Sequence, residues 1–191
     1  MIIIDGFVRD EVLLQEIQQS KEFWKTDYHW WNGWWNTPAS TLRHTLIEYI
    51  WRYNCPLRNS ISLDGFEHWV GIQQANDTTK NDAGEWSLTT HFDKDEKLWD
   101  ETGKVVTPKL GTIFYPDPCN DSIEGGYLKV WKTHNIDFNA PYELIEPKYN
   151  RLIVFDAGQL HAVTPVTKGT RKAIAINLWD EAPSDAPNMM F

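Results

Sequence analysis

The chain contains few cysteines and no long apolar run, and both absences exclude classes of protein. Only Cys55 and Cys119 are present among 191 residues, too few for a disulfide framework. No segment approaches the run of about 18 apolar residues that a membrane-spanning helix needs. The first five residues also lack the basic flank and apolar stretch of a signal peptide. We therefore expect a soluble, cytoplasmic protein with no membrane partner.

Clusters of basic residues are also missing. The sequence has 18 lysines and arginines against 27 aspartates and glutamates, which gives a formal net charge of −9. A field of this sign repels phosphate backbones. Nucleic acid is therefore not expected as a partner.

Internal repeats, low-complexity tracts and linkers are absent as well, so we expect one domain over residues 1–191. What the chain has in excess is tryptophan, with 11 residues that lie mostly in the first half. Large aromatic rings either fill a core or line a recognition surface. The loop predicted over residues 28–38 allows both interpretations, and Trp34 and Trp35 are candidates for a substrate-binding wall. The sequence does not indicate the oligomeric state.

The first 60 residues predict a helical support. Residues 2–4 form a short apolar segment typical of a strand. Asp10 is a suitable N-cap for a helix whose apolar stripe contains Leu13, Leu14 and Ile17. A second helix is predicted over residues 39–53, where apolar residues recur at intervals of three and four.

From residue 66 the pattern changes from helical to alternating. Six segments are short, rich in β-branched and aromatic residues, and separated by Gly, Pro, Asn and Asp. The predicted strands are 69–73, 86–92, 110–115, 127–131, 151–155 and 172–179. Helices followed by many strands predict an α+β, mainly β fold in which N-terminal helices pack on one sheet of a jelly roll covering about 66–180.

A His-x-Asp pair lies on the second of these strands. Side chains alternate between the two faces of a strand, so His91 and Asp93 should point the same way and provide two arms of a metal site. His161 lies 70 positions beyond His91, where an apolar strand runs into a turn. Two histidines and one carboxylate would leave adjacent coordination positions of Fe(II) open. Arg171, ten positions after His161, provides a planar group that can grip a carboxylate at two points.

Together these motifs resemble a known family. Residues 111–117 read Gly-Thr-Ile-Phe-Tyr-Pro-Asp, residues 124–128 read Glu-Gly-Gly-Tyr-Leu, and residues 165–171 read Pro-Val-Thr-Lys-Gly-Thr-Arg. Their order around the two histidines is similar to the prolyl 4-hydroxylase-like branch of the iron(II)- and 2-oxoglutarate-dependent oxygenases. The resemblance covers about residues 66–180. Pro116 and Asp117 depart from the family pattern.

The resemblance implies a double-stranded β-helix and a set of roles. His91, Asp93 and His161 would bind Fe²⁺, while Arg171 and Tyr115 would bind the distal carboxylate of the cosubstrate 2-oxoglutarate. Oxygen would be the second cosubstrate, and ascorbate an optional reductant. The expected reaction hydroxylates an unactivated C–H bond, with a prolyl residue of a peptide or protein as the first candidate, and releases succinate and CO₂.

Other functions stay open from the sequence. The chain could hydroxylate a free amino acid or another small metabolite, or it could be a non-catalytic jelly-roll protein that binds ligands through its tryptophans. A cupin-type enzyme is disfavoured because no histidine closely follows His91. A nucleic-acid demethylase is disfavoured by the charge and by Asn177, which stands where such relatives usually carry a second arginine.

Overall fold

The computed structural model describes residues 1–59, 62–75 and 88–186. Within these ranges the chain forms twelve β-strands and three α-helices. The strands are β1 (Ile2–Asp5), β2 (His29–Trp31), β3 (Gly65–Gln74), β4 (Leu88–His91), β5 (Leu110–Phe114), β6 (Glu124–Gly125), β7 (Leu128–Trp131), β8 (Tyr142–Ile145), β9 (Arg151–Phe155), β10 (His161–Val163), β11 (Val166–Lys168) and β12 (Thr170–Trp179). The helices are α1 (Glu11–Gln19), α2 (Leu42–Glu48) and α3 (Glu96–Thr102).

Each helix begins at a side-chain cap. Asp10 accepts a hydrogen bond from the Leu13 amide at 3.0 Å, as expected from the sequence. Thr41 caps α2, which continues into a π-helical segment over Tyr49–Asn54. Helix α3 was not predicted, because it buries no side chain and therefore has no apolar stripe in the sequence. None of the helices in the described ranges is long and apolar enough to cross a membrane.

The strands form two main antiparallel sheets. The larger has six strands in the order β1-β9-β5-β12-β3-β2, and the smaller has four in the order β4-β10-β7-β8. A short pair, β6 and β11, adjoins them. The expected mainly β, jelly-roll type fold is confirmed.

The larger sheet is buried on both faces. One face packs against α1, α2 and the π-helical segment, and Ile17, Leu46 and Trp51 belong to one hydrophobic cluster with Ile174, Ile176 and Leu178 of β12. The opposite face packs against the smaller sheet through Tyr115, Phe155 and Leu128. The helices therefore cover the outside of the larger sheet, and the space between the two sheets remains available for a site.

Five strands were not expected from the sequence. β2 lies within the segment predicted as a loop, so that prediction was wrong for His29–Trp31, which pairs with β3 at the sheet edge. β6, β8, β10 and β11 have two to four residues each, too short for alternation to be visible. The predicted strand 86–92 is seen as Leu88–His91, while Trp86 and Ser87 lie outside the described residues. Cys55 and Cys119 are free thiols.

Candidate metal and cosubstrate site

Three side chains from two strands of the smaller sheet and the loop after β4 meet between the sheets. His91 and His161 are directly opposed in the β4–β10 pair, which brings their ring centroids to 4.3 Å. Asp93 lies beside both, with one carboxylate oxygen 3.4 Å from His91 Nε2 and the other 3.6 Å from His161 Nε2. One ligand atom from each residue lies within 4.8 Å of the others. The sequence therefore named three residues that the fold does bring together.

Backbone carbonyl groups fix the orientation of both imidazoles. Nδ1 of His91 lies 2.6 Å from the Thr89 carbonyl oxygen, and Nδ1 of His161 lies 2.8 Å from that of Gln159. A carbonyl accepts only, so Nδ1 carries the proton in each ring and Nε2 keeps its lone pair. This arrangement is typical of metal-binding histidines, whose second nitrogen donates to an oxygen. The donor set fits a divalent cation such as Fe²⁺.

The metal-free cluster is electrostatically coupled. Burial lowers the pKa of His161, so this imidazole is held neutral. Burial opposes the charged form of Asp93 as well, but the two histidines outweigh it and lower the pKa of the carboxyl group. For His91, burial is outweighed by the hydrogen bond that the ring donates to Asp93 and by the charge of that carboxylate, and the pKa is raised. The carboxylate is thus kept ionised, which is the form that a metal needs.

Asp93 is also held by a polar chain that leads away from the cluster. Asn177 donates a hydrogen bond to Asp93, and its Nδ2 lies 3.3 Å from Glu67 Oε2. The same glutamate oxygen accepts from Trp179 Nε1 at 3.2 Å. Asn177 is 3% exposed, so its amide has no alternative contact with bulk water. The chain restrains the carboxylate that would bind the metal.

Arg171 lies in the same cavity and is also buried, with 3% of its surface exposed. Its Nε donates to the Gly126 carbonyl at 3.1 Å, its Nη1 to Gln73 Oε1 at 2.8 Å and its Nη2 to the Tyr115 hydroxyl at 3.0 Å. All three acceptors are neutral, and no carboxylate among the described residues pairs with the guanidinium. A buried cation without an anion is costly. The cavity therefore favours an anionic ligand at this end.

Two glycines make this arrangement possible. Gly125 and Gly126 have positive φ values of 80° and 69°. A Cβ on Gly125 would lie 2.0 Å from the Pro165 carbonyl oxygen, and one on Gly126 would lie 3.2 Å from Cδ of Arg171. The Gly-Gly motif recognised in the sequence thus lets the β6–β7 connection approach Pro165 and present its carbonyl to the guanidinium.

One strand pair forms the floor between the two halves of the site. β12 and β3 are antiparallel, and the register places Arg171 opposite Gln73, Ala173 opposite Gly71, and Asn177 opposite Glu67. Polar pairs therefore occupy the two ends, and between them lie the small Ala173–Gly71 pair and Ala175 opposite Trp69. The small pair leaves space that a larger side chain would fill.

Trp34 and Trp35, the candidates for a substrate wall, lie elsewhere. Both contact Phe66, at 5.6 and 5.8 Å between ring centroids, on the face of the larger sheet that packs against the helices. Neither lines the cavity that contains the histidines and Arg171. The cavity instead has Trp69 in its wall, and Tyr28 stacks on that indole.

Sequence reasoning missed four residues of the site: Glu67, Trp69, Gln73 and the supporting role of Asn177. The alternation that groups them was readable, since residues 67, 69, 71 and 73 share one face of β3 and residues 171, 173, 175 and 177 share one face of β12. The register between the two strands was not readable, because it depends on a long-range pairing. His29, His44 and His68 lie on the helix side, as rings in mutual contact.

The fold and site define a metal-dependent enzyme with an anionic cosubstrate, and comparison with known proteins identifies the class. Residues 78–179 match the family model described as the 2OG-Fe(II) oxygenase superfamily. The chain belongs to this superfamily, whose members use Fe²⁺ and 2-oxoglutarate. No curated protein matches the chain.

Solved structures of this fold are similar over nearly the whole chain. A Pseudomonas putida prolyl-4-hydroxylase has a TM-score of 0.56 at 13% identity, covering 95% of this chain and 88% of that one. A viral collagen prolyl hydroxylase of Paramecium bursaria Chlorella virus-1, solved with 2OG, has a TM-score of 0.54 at 18% identity, covering 93% of each. A Trichoplax adhaerens prolyl hydroxylase, solved with a hypoxia inducible factor peptide, has a TM-score of 0.52 at 14% identity, covering 94% and 83%. These likenesses confirm the double-stranded β-helix fold.

Proposed function

We propose that the protein hydroxylates an unactivated C–H bond of its substrate, with a prolyl residue in a peptide or protein as the target. In the balanced reaction, one oxygen atom of O₂ enters the substrate. The other enters succinate, which forms from 2-oxoglutarate with loss of CO₂. The observation that carries the proposal is the presence of three oriented metal ligands and an unpaired buried guanidinium in one cavity.

Each residue has a defined part in this proposal. His91, Asp93 and His161 would hold Fe²⁺ through Nε2, a carboxylate oxygen and Nε2. Arg171 would donate to the distal carboxylate of 2-oxoglutarate, and the Tyr115 hydroxyl, which accepts from Arg171, retains a proton that it can donate to the same carboxylate. The bound metal would supply the coordination positions at which 2-oxoglutarate and O₂ react.

The prolyl target is supported by proteins of the same fold. Three of them are prolyl hydroxylases, and one of these was solved with a peptide. Because one fold accommodates many substrates, experiment decides between a peptide and a free amino acid.

The test measures succinate and product together. Protein with Fe(II), ascorbate and 2-oxoglutarate is incubated with proline-containing peptides or with free proline. We expect succinate formation and a mass increase of one oxygen atom in a peptide. Asp93→Ala should abolish both signals, whereas Asp100→Ala, on the exposed helix α3, should leave them unchanged. Oxygen incorporation into free proline alone would replace the peptide target with a small metabolite. Absence of succinate formation with iron bound would contradict the enzyme proposal.

A further inference from the structure

An aromatic pair stands at the side of the cavity nearest the metal ligands. The side chains of Tyr28 and Trp69 are stacked, with ring centroids 4.8 Å apart and planes inclined by 21°. Trp69 lines the cavity together with His91 and Asp93, while Tyr28 is 54% exposed. The pair therefore extends from the interior of the site to solvent. Pre-stacked rings offer a large contact area at low conformational cost.

Glu67 is next to this pair on the same face of β3. Its Oε2 accepts two hydrogen bonds, from Asn177 and Trp179, while Oε1 accepts none from the described residues, and the side chain is half-buried. No lysine or arginine of the described residues forms a salt bridge with it. Lys94 is bound to Glu96 at 2.7 Å.

Of the acids near Tyr28, Glu67 alone has no salt-bridge partner among the described residues, since Lys94 pairs with Glu96 and His91 lies beside Asp93. Tyr28 reports the charge of these acids, since burial and then the neighbouring Glu67, Asp93 and Glu96 raise the pKa of its hydroxyl group. A bound divalent metal would offset Asp93 but would leave Glu67 without a counter-ion. The net charge of −9 acts in the same direction on an approaching molecule.

We propose that Trp69, supported by Tyr28, receives the ring of the reacting prolyl residue and that Glu67 receives a cationic side chain next to it. The substrate is then a basic peptide segment in which proline is flanked by lysine or arginine. This inference rests on the proposed hydroxylase function and specifies its substrate class. A proline ring packs on the face of an indole, and the free oxygen of Glu67 pairs with an ammonium or guanidinium group in a partly desolvated position.

The test uses fluorescein-labelled peptides that differ at one residue, Gly-Ala-Lys-Pro-Ala-Gly, Gly-Ala-Gln-Pro-Ala-Gly and Gly-Ala-Glu-Pro-Ala-Gly. Binding is measured by fluorescence anisotropy with Fe(II) and 2-oxoglutarate in the absence of O₂, and turnover is measured separately in air. The wild-type protein should bind the Lys-Pro peptide at least about 10-fold more tightly than the Glu-Pro peptide, since a tenfold ratio corresponds to about 1.4 kcal/mol.

Variants separate recognition from support of the fold. Glu67→Gln should reduce the Lys-Pro to Glu-Pro ratio to about 3-fold or less. Trp69→Ala should weaken all three peptides. Glu143 is an exposed residue of β8 that pairs with Lys132. Glu143→Gln removes one negative charge, as Glu67→Gln does, so it serves as the charge-matched control and should preserve the ratio.

Two outcomes overturn the subsite. One is equal affinity of the wild-type protein for the three peptides. This result is obtained without any variant, so it does not depend on whether a variant folds. The other is a uniform loss of affinity and kcat in Glu67→Gln, which would make Glu67 only a support for Asn177. Failure of the proposed hydroxylase function can be distinguished from failure of this subsite. Glu67-dependent binding without hydroxylation would retain the subsite and reject the prolyl reaction, whereas hydroxylation without charge preference would do the reverse.

Discussion

The Tyr115 hydroxyl accepts a hydrogen bond of 3.0 Å from Nη2 of Arg171, although the two residues are 56 positions apart in the chain. The guanidinium also lies over the phenol ring, 5.1 Å from its centroid. Both side chains are buried, and their strands face the smaller sheet. Arg171 lines the cavity, and the Tyr115 hydroxyl lies at hydrogen-bond distance from its guanidinium group.

Replacement of Arg171 by methionine should weaken 2-oxoglutarate binding. Loss of a buried charged partner costs about 2–5 kcal/mol, so we expect the dissociation constant to rise at least about 30-fold. Calorimetric titration of 2-oxoglutarate into the metal-loaded protein measures this change. Arg52→Met is the matched control, because Arg52 pairs with Glu48 on the helical surface. Unchanged affinity in Arg171→Met would show that the cosubstrate binds elsewhere.

Replacement of Tyr115 by phenylalanine should have a smaller effect in the same direction. The change removes one neutral donor and keeps the ring, and a hydrogen bond to a charged group contributes about 1.5–3 kcal/mol. We expect the KM for 2-oxoglutarate to rise by about 10-fold or more, with peptide affinity unchanged. A selective effect on the peptide instead would assign Tyr115 to the substrate.

Replacement of Asn177 by alanine should reduce metal affinity. The amide holds Asp93, and loss of such supporting contacts typically costs 10- to 100-fold in affinity. Titration with Mn(II) or Co(II), which the same ligand types accept, measures the dissociation constant directly. Asn135→Ala, in the exposed loop after β7, should behave like the wild-type protein. Wild-type metal affinity in Asn177→Ala would show that Asp93 does not depend on this support.

The contribution of Glu67 to the stability of the metal-free protein should fall as the pH rises from about 4.5 to 7. Burial and then the charge of Asp93 raise the pKa of this carboxyl group from 4.5 to about 7. Below pH 4.5 the group is protonated in both folded and unfolded chains. Between these values the folded chain binds the extra proton, so this stabilising contribution is lost as the pH increases through the folded pKa.

Glu67→Gln should remove this contribution. Relative to the wild-type protein, the variant should gain up to about 3 kcal/mol of unfolding free energy between pH 4 and pH 8, since one pKa unit corresponds to about 1.4 kcal/mol. Urea denaturation at several pH values measures the difference. Parallel curves for the two proteins would place the glutamate in a hydrated environment in solution.

Replacement of Gly125 by alanine should destabilise the fold by about 2 kcal/mol or more, because a left-handed backbone and a carbonyl contact are both violated. Its φ is 80° and the added Cβ would lie 2.0 Å from the Pro165 oxygen. Gly103→Ala is the matched control, since φ is 70° there and nothing lies within 4 Å. The control should lose only about 1 kcal/mol of unfolding free energy in chemical denaturation, because only the left-handed backbone conformation is affected. Equal losses would show that the loop around Pro165 yields without cost.

The sequence was sufficient to predict that His91, Asp93 and His161 cluster, and it named Arg171, which lies in the same cavity. His91 and Asp93 are two positions apart, and they meet although β4 ends at His91 and Asp93 lies in the loop that follows. His161 and Arg171 were found by their order in a motif set that resembles the family. For these residues, local spacing carried the information that the fold later used.

The substrate side could not be predicted in the same way. Trp34 and Trp35 occur in the richest aromatic segment, but packing against Phe66 and the helices takes them to the outer face of the larger sheet. Trp69 stands alone in the sequence, and its partner Tyr28 is 41 positions away. Only the β2–β3 and β3–β12 pairings bring such residues to the cavity. Which strands pair over a long sequence separation depends on the whole sheet, and no local sequence pattern encodes that pairing.

Because Arg171 and Asn177 lie on one strand, the number of residues between them is constrained as well as the identity of the two residues. Six positions separate them, an even number, so both side chains emerge on the same side of β12. Inserting or deleting a single residue between them would turn the side chain of one of the two towards the helix-packed core. The number of residues in this interval therefore cannot change by one without separating the guanidinium group of Arg171 from the amide that supports Asp93.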